Sequence, residues 1–129
     1  MKLTHTSIRA KNMDETIEFY EKVLGLKLVR RAEIPQNDAE IAFLESPEGD
    51  SRIELTHYRQ QKSYVQAEYE DRVFDHIAFE ANDIDGILQR VREAGGTVTD
   101  EPFHLSPGGP RIAFLEDPNE VLIELIERL

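Results

Sequence analysis

The chain has 129 residues, and its 15 Lys and Arg against 26 Asp and Glu give a formal net charge of −11. This length suits one domain, or two small modules that share a core, and 40% hydrophobic residues are enough to build it. The acidic balance excludes a nucleic-acid-binding protein, because such proteins need a basic surface. The absence of Cys excludes disulfide scaffolds, thiolate zinc sites and cysteine nucleophiles.

The distribution of apolar residues excludes membrane classes as well. No apolar run approaches the roughly 18 residues that a membrane-spanning helix needs. The first ten residues, MKLTHTSIRA, are too polar for a signal peptide. The composition therefore predicts a soluble, cytoplasmic domain that binds neither nucleic acid nor membrane.

The chain repeats itself at an offset of 71 residues, which takes His5 to His76. The pentapeptide IAFLE at 41–45 recurs in register at 112–116. After one deletion, the tripeptide Ile-Glu-Leu at 53–55 matches the same tripeptide at 123–125. Two identities and a matched helix in one register predict a duplicated module.

Alternating and helical periodicities predict the same element order in both copies, strand, helix and three strands. In the first copy the predicted strands are 3–10, 26–34, 39–46 and 51–58, and the helix starts after Asn12 and ends at Gly25. In the second copy the strands are 74–81, 97–100, 111–116 and 121–127, the helix is 84–94, and 101–110 is a loop. The predicted fold is α+β, with tandem βαβββ modules at 1–58 and 73–129 joined by a linker at 59–72.

Strand parity brings four polar residues to the face opposite the helices, a face that we expect to be concave. They are His5, Glu54, His76 and Glu124. A carboxylate on that face is costly without a partner, above all Glu124 between Leu122 and Ile126. Two imidazoles and two carboxylates form a donor set typical of Zn²⁺, Ni²⁺, Co²⁺, Fe²⁺ or Mn²⁺. The pattern predicts a metal site that two waters would complete.

At these residues the sequence resembles glyoxalase I (lactoylglutathione lyase) of the vicinal oxygen chelate superfamily. The resemblance covers nearly the whole chain, and it is carried by HTSIR at 5–9, FYEKVLGLKL at 19–28, IELTH at 53–57, DHIAF at 75–79 and IAFLEDPNEVLIELIE at 112–127. It implies paired βαβββ modules around a concave mixed sheet, and a homodimer with sites at the subunit interface. Each site would take His5 and Glu54 from one subunit and His76 and Glu124 from the other.

The resemblance also implies a reaction. The enzyme would convert the hemithioacetal of methylglyoxal and a low-molecular-weight thiol to an S-2-hydroxyacyl thioester through an enediolate. Glu124 would be the base that moves the C1 proton to C2, and Glu54 would stabilise the site or serve the opposite stereoisomer. The compact chain and the His at position 5 resemble the branch activated by Ni²⁺ or Co²⁺, with Zn²⁺ as a further possibility.

Two arginines are candidates for binding the thiol. Arg9 lies on the His5 face, four residues or roughly 13 Å along the strand, and Arg72 precedes His76 by four residues. In the family, arginines at these places hold glutathione. The family's Asn four residues after the first Glu ligand is Tyr58 here, and the late loop contains no Lys. The thiol is therefore left open between glutathione and another low-molecular-weight thiol.

Other functions on the same fold remain as alternatives. Methylmalonyl-CoA epimerase also removes a proton beside a metal-bound carbonyl, but it usually has Gln where Glu54 lies. Fosfomycin-resistance thiol transferases and extradiol dioxygenases generally use a set of two His and one Glu. A metal-free drug-binding module of the bleomycin-resistance kind has no need for four ligands.

Other polar residues are given structural roles. Parity places His57 on the apolar face, and Tyr20 falls on the buried stripe of the first helix. Arg30 and Arg31 are predicted to be a solvated pair, and His104 falls in the late loop.

Overall fold

A computed structural model of the chain describes residues 1–128, and the chain divides into two compact units, Met1–Val65 and Gln66–Leu129. The division falls within the predicted linker. Within residues 1–128, no helix is both long and apolar enough to cross a membrane.

Each unit contains one helix and four strands in the same order. The first unit comprises β1 (Thr6–Arg9), α1 (Met13–Glu18), β2 (Lys27–Ile34), β3 (Ala39–Glu45) and β4 (Arg52–Tyr58). The second comprises β5 (Ile77–Glu80), α2 (Ile84–Glu93), β6 (Thr97–His104), β7 (Arg111–Glu116) and β8 (Leu122–Glu127). Short 3₁₀ turns at Pro35–Asn37 and Tyr69–Asp71 lie between elements. The predicted α+β fold with two βαβββ modules is confirmed.

The two sheets have equivalent topologies, β1-β4-β3-β2 and β5-β8-β7-β6. The first strand of each unit is parallel to the last, and the remaining pairs are antiparallel. A parallel pair needs a long crossover, and in each unit the helix and two strands supply it. This topology brings the N-terminal strand of each unit beside the strand that carries the candidate glutamate.

Each helix packs its apolar stripe against one face of its own sheet. Tyr20 is fully buried in the first unit, together with Leu55 of β4. Ile84, Leu88 and Leu125 are at most 1% exposed in the second unit. Burying each large apolar side chain stabilises the fold by about 1.5–3 kcal/mol. By strand alternation, both candidate glutamates lie on the opposite face of their sheets.

Both helices begin where side-chain oxygens cap their first turn. Asn12 Oδ1 accepts from the Glu15 amide at 2.9 Å, and Asp83 Oδ1 accepts from the Gly86 amide at 3.0 Å. These caps satisfy amides that have no partner within the helix. The predicted helix starts are confirmed.

The first helix does not continue regularly to Gly25 as predicted. After Glu18 it widens into a π-helical turn, Phe19–Val23. It reaches its left-handed glycine, Gly25 at φ +76°, one residue later than α2 reaches Gly95 from the equivalent start. The π turn accommodates that extra residue, which a periodicity of 3.6 does not reveal.

Several predicted bounds need correction. The first strand is shorter than 3–10, and the strand predicted at 74–81 is Ile77–Glu80. The predicted loop 101–110 is wrong in its first part, since β6 continues to His104. Two register shifts against β7 let the strand continue past Pro102, because a proline has no amide to give to a ladder.

Candidate active site

The first candidate pair lies where β1 and β4 run side by side. His5 immediately precedes β1, and Glu54 lies on β4 opposite Ser7. The His5 Nε2 atom lies 4.0 Å from Glu54 Oε1, and their side chains are 35% and 19% exposed. The pair is therefore accessible to a ligand and partly shielded from water.

Two neighbours fix the His5 ring. Phe43 of β3 meets it edge-on, with ring centroids 5.3 Å apart. Thr4 Oγ1 lies 3.0 Å from His5 Nδ1, so Nε2 is the nitrogen that faces Glu54. The imidazole consequently offers one nitrogen to the candidate site and has the other engaged outside it.

Glu54 is held by a short series of hydroxyl groups. The buried Thr56 hydroxyl donates to Glu54 Oε1 at 3.2 Å, and the Ser7 hydroxyl lies 3.2 Å from that of Thr56. These contacts restrict the carboxylate's position while leaving Glu54 Oε2 for another partner.

The second pair repeats the first in the other unit. His76 immediately precedes β5, and Glu124 lies on β8 opposite Ala78. His76 Nε2 lies 2.9 Å from Glu124 Oε2, with side chains 31% and 15% exposed. Phe114 of β7 meets the His76 ring edge-on at 5.7 Å, as Phe43 meets His5.

The surroundings of the second pair differ from those of the first. Asp75 Oδ1 contacts His76 Nδ1 at 2.5 Å, where the first unit has the Thr4 hydroxyl. Ala78 and Ile126 lie where Ser7 and Thr56 lie around Glu54, so the equivalent hydroxyl groups are missing. Glu124 is thus a half-buried carboxylate between apolar neighbours, with an imidazole as its partner.

Each unit therefore brings together one imidazole and one carboxylate. Within residues 1–128, no group of three or more His, Asp or Glu side chains is arranged to hold a metal ion. The donor types still fit a transition metal, because both Nε2 atoms point towards a carboxylate and both rings have Nδ1 engaged elsewhere. The four-residue ligand set stays a prediction.

Sequence reasoning missed the residues that support these pairs. Phe43 and Phe114 lie within the repeated IAFLE segment, so that identity was the signal that could have found them. Thr4 and Asp75 precede the two histidines at repeat-equivalent positions but differ chemically, and strand parity places neighbours in sequence on opposite faces.

Arg9 has two described partners at the carboxyl end of β1. Its guanidinium carbon lies 4.7 Å from the centroid of the Tyr58 ring, and Nη1 donates to Gln61 Oε1 at 3.2 Å. Stacking and a hydrogen bond orient the guanidinium group and leave further N–H donors for an anion. A thiol-binding role for Arg9 stays a prediction.

Arg72 belongs to the segment that leads into the second unit. Its Nε donates to the Ala67 carbonyl at 3.1 Å, which closes the 3₁₀ turn between them. Its charge also opposes the rise in the pKa of Glu116, which burial and the neighbouring Glu120 cause. A thiol-binding role for Arg72 stays a prediction as well.

The residues given structural roles are placed largely as expected. Half-buried His57 has Nδ1 2.8 Å from the Ala10 carbonyl oxygen. His104 lies at the end of β6, not in a loop, with Nδ1 3.1 Å from the Gly109 carbonyl oxygen. The prediction that Arg31 is merely solvated is wrong, because its guanidinium binds Asp14 and Glu40 at 2.7 Å each.

Comparison with known proteins places this arrangement in a family. Residues 2–125 match the model of the Glyoxalase/Bleomycin resistance protein/Dioxygenase superfamily. The chain is 37% identical over 129 residues to a lactoylglutathione lyase of Haemophilus influenzae, covering 98% of this chain and 93% of the relative.

Solved structures give the same result. Glyoxalase I from Zea mays is 29% identical with a TM-score of 0.80, covering 99% of this chain and 47% of its own, so this chain spans about half its length. The trypanothione-dependent glyoxalase I of Leishmania major is 27% identical with a TM-score of 0.78, covering 98% of this chain and 86% of its own. The family inferred from the resemblance is confirmed, and so is the prediction of an enzyme of the lactoylglutathione lyase type.

Proposed function

The chain belongs to the glyoxalase I (lactoylglutathione lyase) family, and from this membership we propose that it is a metal-dependent glyoxalase acting on the hemithioacetal of methylglyoxal and a low-molecular-weight thiol. The product would be the S-2-hydroxyacyl thioester. The observation that carries the proposal is the duplicated imidazole–carboxylate pair, placed at equivalent positions of the two units and supported in each by an edge-on phenylalanine.

One divalent metal ion would be held by His5 and Glu54 together with His76 and Glu124. Two nitrogen and two carboxylate donors suit Ni²⁺ or Co²⁺, which we favour, and they accept Zn²⁺. A single pair is too small a donor set for such an ion, so each site needs both a His5–Glu54 pair and a His76–Glu124 pair.

We place the complete site at the interface of a homodimer. His5 and Glu54 would come from one subunit, and His76 and Glu124 from its partner. A two-fold dimer would then contain two equivalent sites, each built from complementary pairs.

The reaction is an isomerisation in which the C1 hydrogen moves to C2 and the C1 hydroxyl hydrogen moves to the C2 oxygen. When bound, the cation would withdraw electrons from the substrate oxygens and so acidify the hydrogen on C1. Glu124 would take this proton and return it to C2, which oxidises C1 and reduces C2 without any external redox partner. The apolar neighbours of Glu124 and its low exposure favour this role, whereas the Thr56 hydroxyl restrains Glu54.

The thiol part of the substrate would extend along the first strand towards Arg9. The Arg9 guanidinium is oriented by Tyr58 and Gln61, and it suits a carboxylate on the thiol. Arg72 is the second candidate for such a contact. The Leishmania relative is described as trypanothione-dependent, so thiols differ within the family and several must be tested here.

The decisive experiment combines metal analysis with a panel of thiols. The purified chain is assayed for bound metal, stripped with a chelator, and supplied with Ni²⁺, Co²⁺ or Zn²⁺ before isomerisation of each methylglyoxal hemithioacetal is measured. We expect chelation to abolish turnover and Ni²⁺ or Co²⁺ to restore it most strongly. A Glu124→Gln variant should lose turnover while it still folds.

Two results would contradict the proposal. Full turnover after complete removal of metal would exclude the metal mechanism. Epimerisation of methylmalonyl-CoA that is faster than the conversion of any hemithioacetal would assign the chain to the epimerase alternative.

A further inference from the structure

The residue before each candidate histidine contacts that histidine's Nδ1 atom. Thr4 Oγ1 lies 3.0 Å from His5 Nδ1, and Asp75 Oδ1 lies 2.5 Å from His76 Nδ1. The two positions are equivalent in the duplication, yet one carries a neutral hydroxyl and the other a carboxylate. The duplication has therefore kept the contact and changed its chemistry.

The two partners constrain the imidazole differently. An ionised carboxylate only accepts hydrogen bonds, so its contact with Asp75 requires a hydrogen on His76 Nδ1. A cation bound at Nε2 would take the lone pair of that nitrogen, so the hydrogen of the metal-bound ring would lie on Nδ1, where Asp75 accepts it. A threonine hydroxyl both donates and accepts, so Thr4 is compatible with either tautomer of His5.

We propose that Asp75 and Thr4 are positioning residues of unequal strength for the two metal-ligating histidines. Asp75 fixes His76 in the tautomer that presents Nε2 to the cation, whereas Thr4 leaves His5 free to adopt either one. This inference rests on the proposed metal site, since it assigns residues that act on the cation through the histidines.

The two rings are otherwise supported alike. Both rings have an edge-on phenylalanine, so the aromatic support is the same in both units. The partner of Nδ1 is the feature that differs most in charge, and a charged partner also makes a stronger hydrogen bond.

The first test measures cation affinity in the full chain by competition of Ni²⁺ and Co²⁺ between the protein and a chromogenic chelator. Asp75→Ala should weaken binding by about 10–100-fold, the usual effect of losing the outer partner of a ligating histidine. Asp75→Asn keeps an acceptor oxygen without its charge, so its loss should be smaller. Thr4→Val should weaken binding less than Asp75→Ala does.

Exchange of the two partners gives a sharper test, because it predicts a gain. Thr4→Asp should tighten cation binding, and Asp75→Thr should weaken it. Asp71→Asn is the matched control, since it removes an exposed carboxylate four residues before Asp75. Thermal unfolding in excess chelator should be similar for all variants, which separates cation affinity from folding.

Nitrogen chemical shifts in the Zn²⁺-loaded chain test the orientation of the ring directly. His76 should bind the cation through Nε2 and carry its hydrogen on Nδ1, and that hydrogen should exchange with water faster in Asp75→Ala than in the wild type. Coordination of the wild-type ring through Nδ1 would overturn the inference.

The outcomes separate this inference from the proposed function. A wild-type chain that binds neither cation defeats both. A wild-type chain that binds them, with Asp75→Ala no weaker than Asp71→Asn, overturns the inference alone. Ordered losses and a gain in Thr4→Asp support the assignment.

Discussion

At the scale of single residues, the duplicated glutamates differ in what surrounds them. Glu54 accepts a hydrogen bond from buried Thr56, whose hydroxyl contacts that of Ser7. Glu124 has alanine and isoleucine at the equivalent positions and lies against His76. Two carboxylates that occupy the same place in a repeat thus have different partners, a hydroxyl group at Glu54 and an imidazole at Glu124.

Replacing the Thr56 hydroxyl tests its contact with Glu54. Thr56→Val keeps the side-chain shape but removes the donor to Glu54, so we expect cation affinity and turnover to fall by about tenfold. Thr56→Ser, which keeps the hydroxyl, is the matched control and should retain most of both. Chelator competition and steady-state assays supply the measurements, and equal values for Val and wild type would contradict the prediction.

Glu116 is a carboxylate that the fold tolerates at a cost. Burial raises its pKa, repulsion from Glu120 and Asp117 raises it further, and Arg72 partly opposes this. Because the folded-state pKa is raised, the contribution of Glu116 to the free energy of unfolding is greatest at low pH, where the group is protonated. This contribution is lost as pH rises through the folded-state pKa.

Glu116→Gln should therefore stabilise the fold at pH 7. The expected gain in the free energy of unfolding is small, up to about 0.5 kcal/mol, as for other partly exposed positions. Urea unfolding at pH 7 and at pH 3 measures it, and the gain should disappear at pH 3, where both states of the wild type are protonated. A variant less stable than wild type at pH 7 would show that the charge is needed there.

At the scale of elements, the two helices receive similar ion pairs from different strands. Asp14 in the first turn of α1 binds Arg31 of β2, whereas Asp85 in the first turn of α2 binds Arg111 of β7. The aspartates are equivalent in the repeat and the arginines are not. In each module, a different arginine thus links the first turn of the helix to the sheet.

The Arg111–Asp85 contact gives a pH-dependent prediction. Arg111 donates to both Asp85 oxygens at 2.8 Å and lowers the pKa of Asp85. A lowered folded-state pKa contributes stability above the unfolded value, and this is lost as pH falls through the folded value. Arg111→Gln should thus destabilise the fold at pH 7 and have a smaller effect at pH 2.

The matched control for that prediction is Arg128→Gln, which removes an exposed arginine that pairs with Glu80. Urea unfolding across this pH range compares the variants. We expect Arg128→Gln to show a weaker dependence, because Arg128 makes one contact with its carboxylate and Arg111 makes two. Equal pH profiles would mean that the bidentate contact adds no stability.

The order of elements could be predicted from the sequence, but their irregularities could not. Alternation and caps are local signals, so the helix start at Asn12 and strand 111–116 were predicted correctly. The π turn at Phe19–Val23 depends on an extra residue that tertiary packing accommodates. The continuation of β6 past Pro102 depends on its pairing with β7. Neither irregularity has a signal within a short stretch of sequence.

At the scale of the whole molecule, the duplication is what singled out the candidate residues. A His alone or a Glu alone says little, but parity and the repeat together predicted that both His and both Glu lie on the sheet face opposite the helices. In the structure each His lies beside the Glu of its own unit. The contacts of Thr4, Asp75 and Arg31 could not be predicted, because they depend on side-chain directions at strand ends and on strand register.

The net charge of −11 acquires a clearer meaning at this scale. Two of the acidic residues form the candidate pairs, and several others tie helices and strands together through arginines, as Asp14, Glu40 and Asp85 do. Part of the acidic surface is therefore a network of ion pairs, which salt weakens.

The proposed distribution of ligands over two subunits predicts complementation between inactive variants. A His5→Ala subunit has a damaged first pair and an intact second pair, and a His76→Ala subunit has the reverse. In a mixed dimer, one site would combine both lesions, and the other would combine the intact first module of one subunit with the intact second module of its partner. Co-refolding equal amounts should therefore restore about a quarter of wild-type turnover, because about half of the dimers are mixed and each has one intact site.

The alternative in which all four ligands come from one chain predicts no restoration, because each variant chain would lack a ligand in its own site. The control is a mixture of His5→Ala with Glu54→Gln, which both damage the first pair. That mixture should stay inactive under either arrangement, so restored turnover confined to the first mixture would establish that each site needs two subunits.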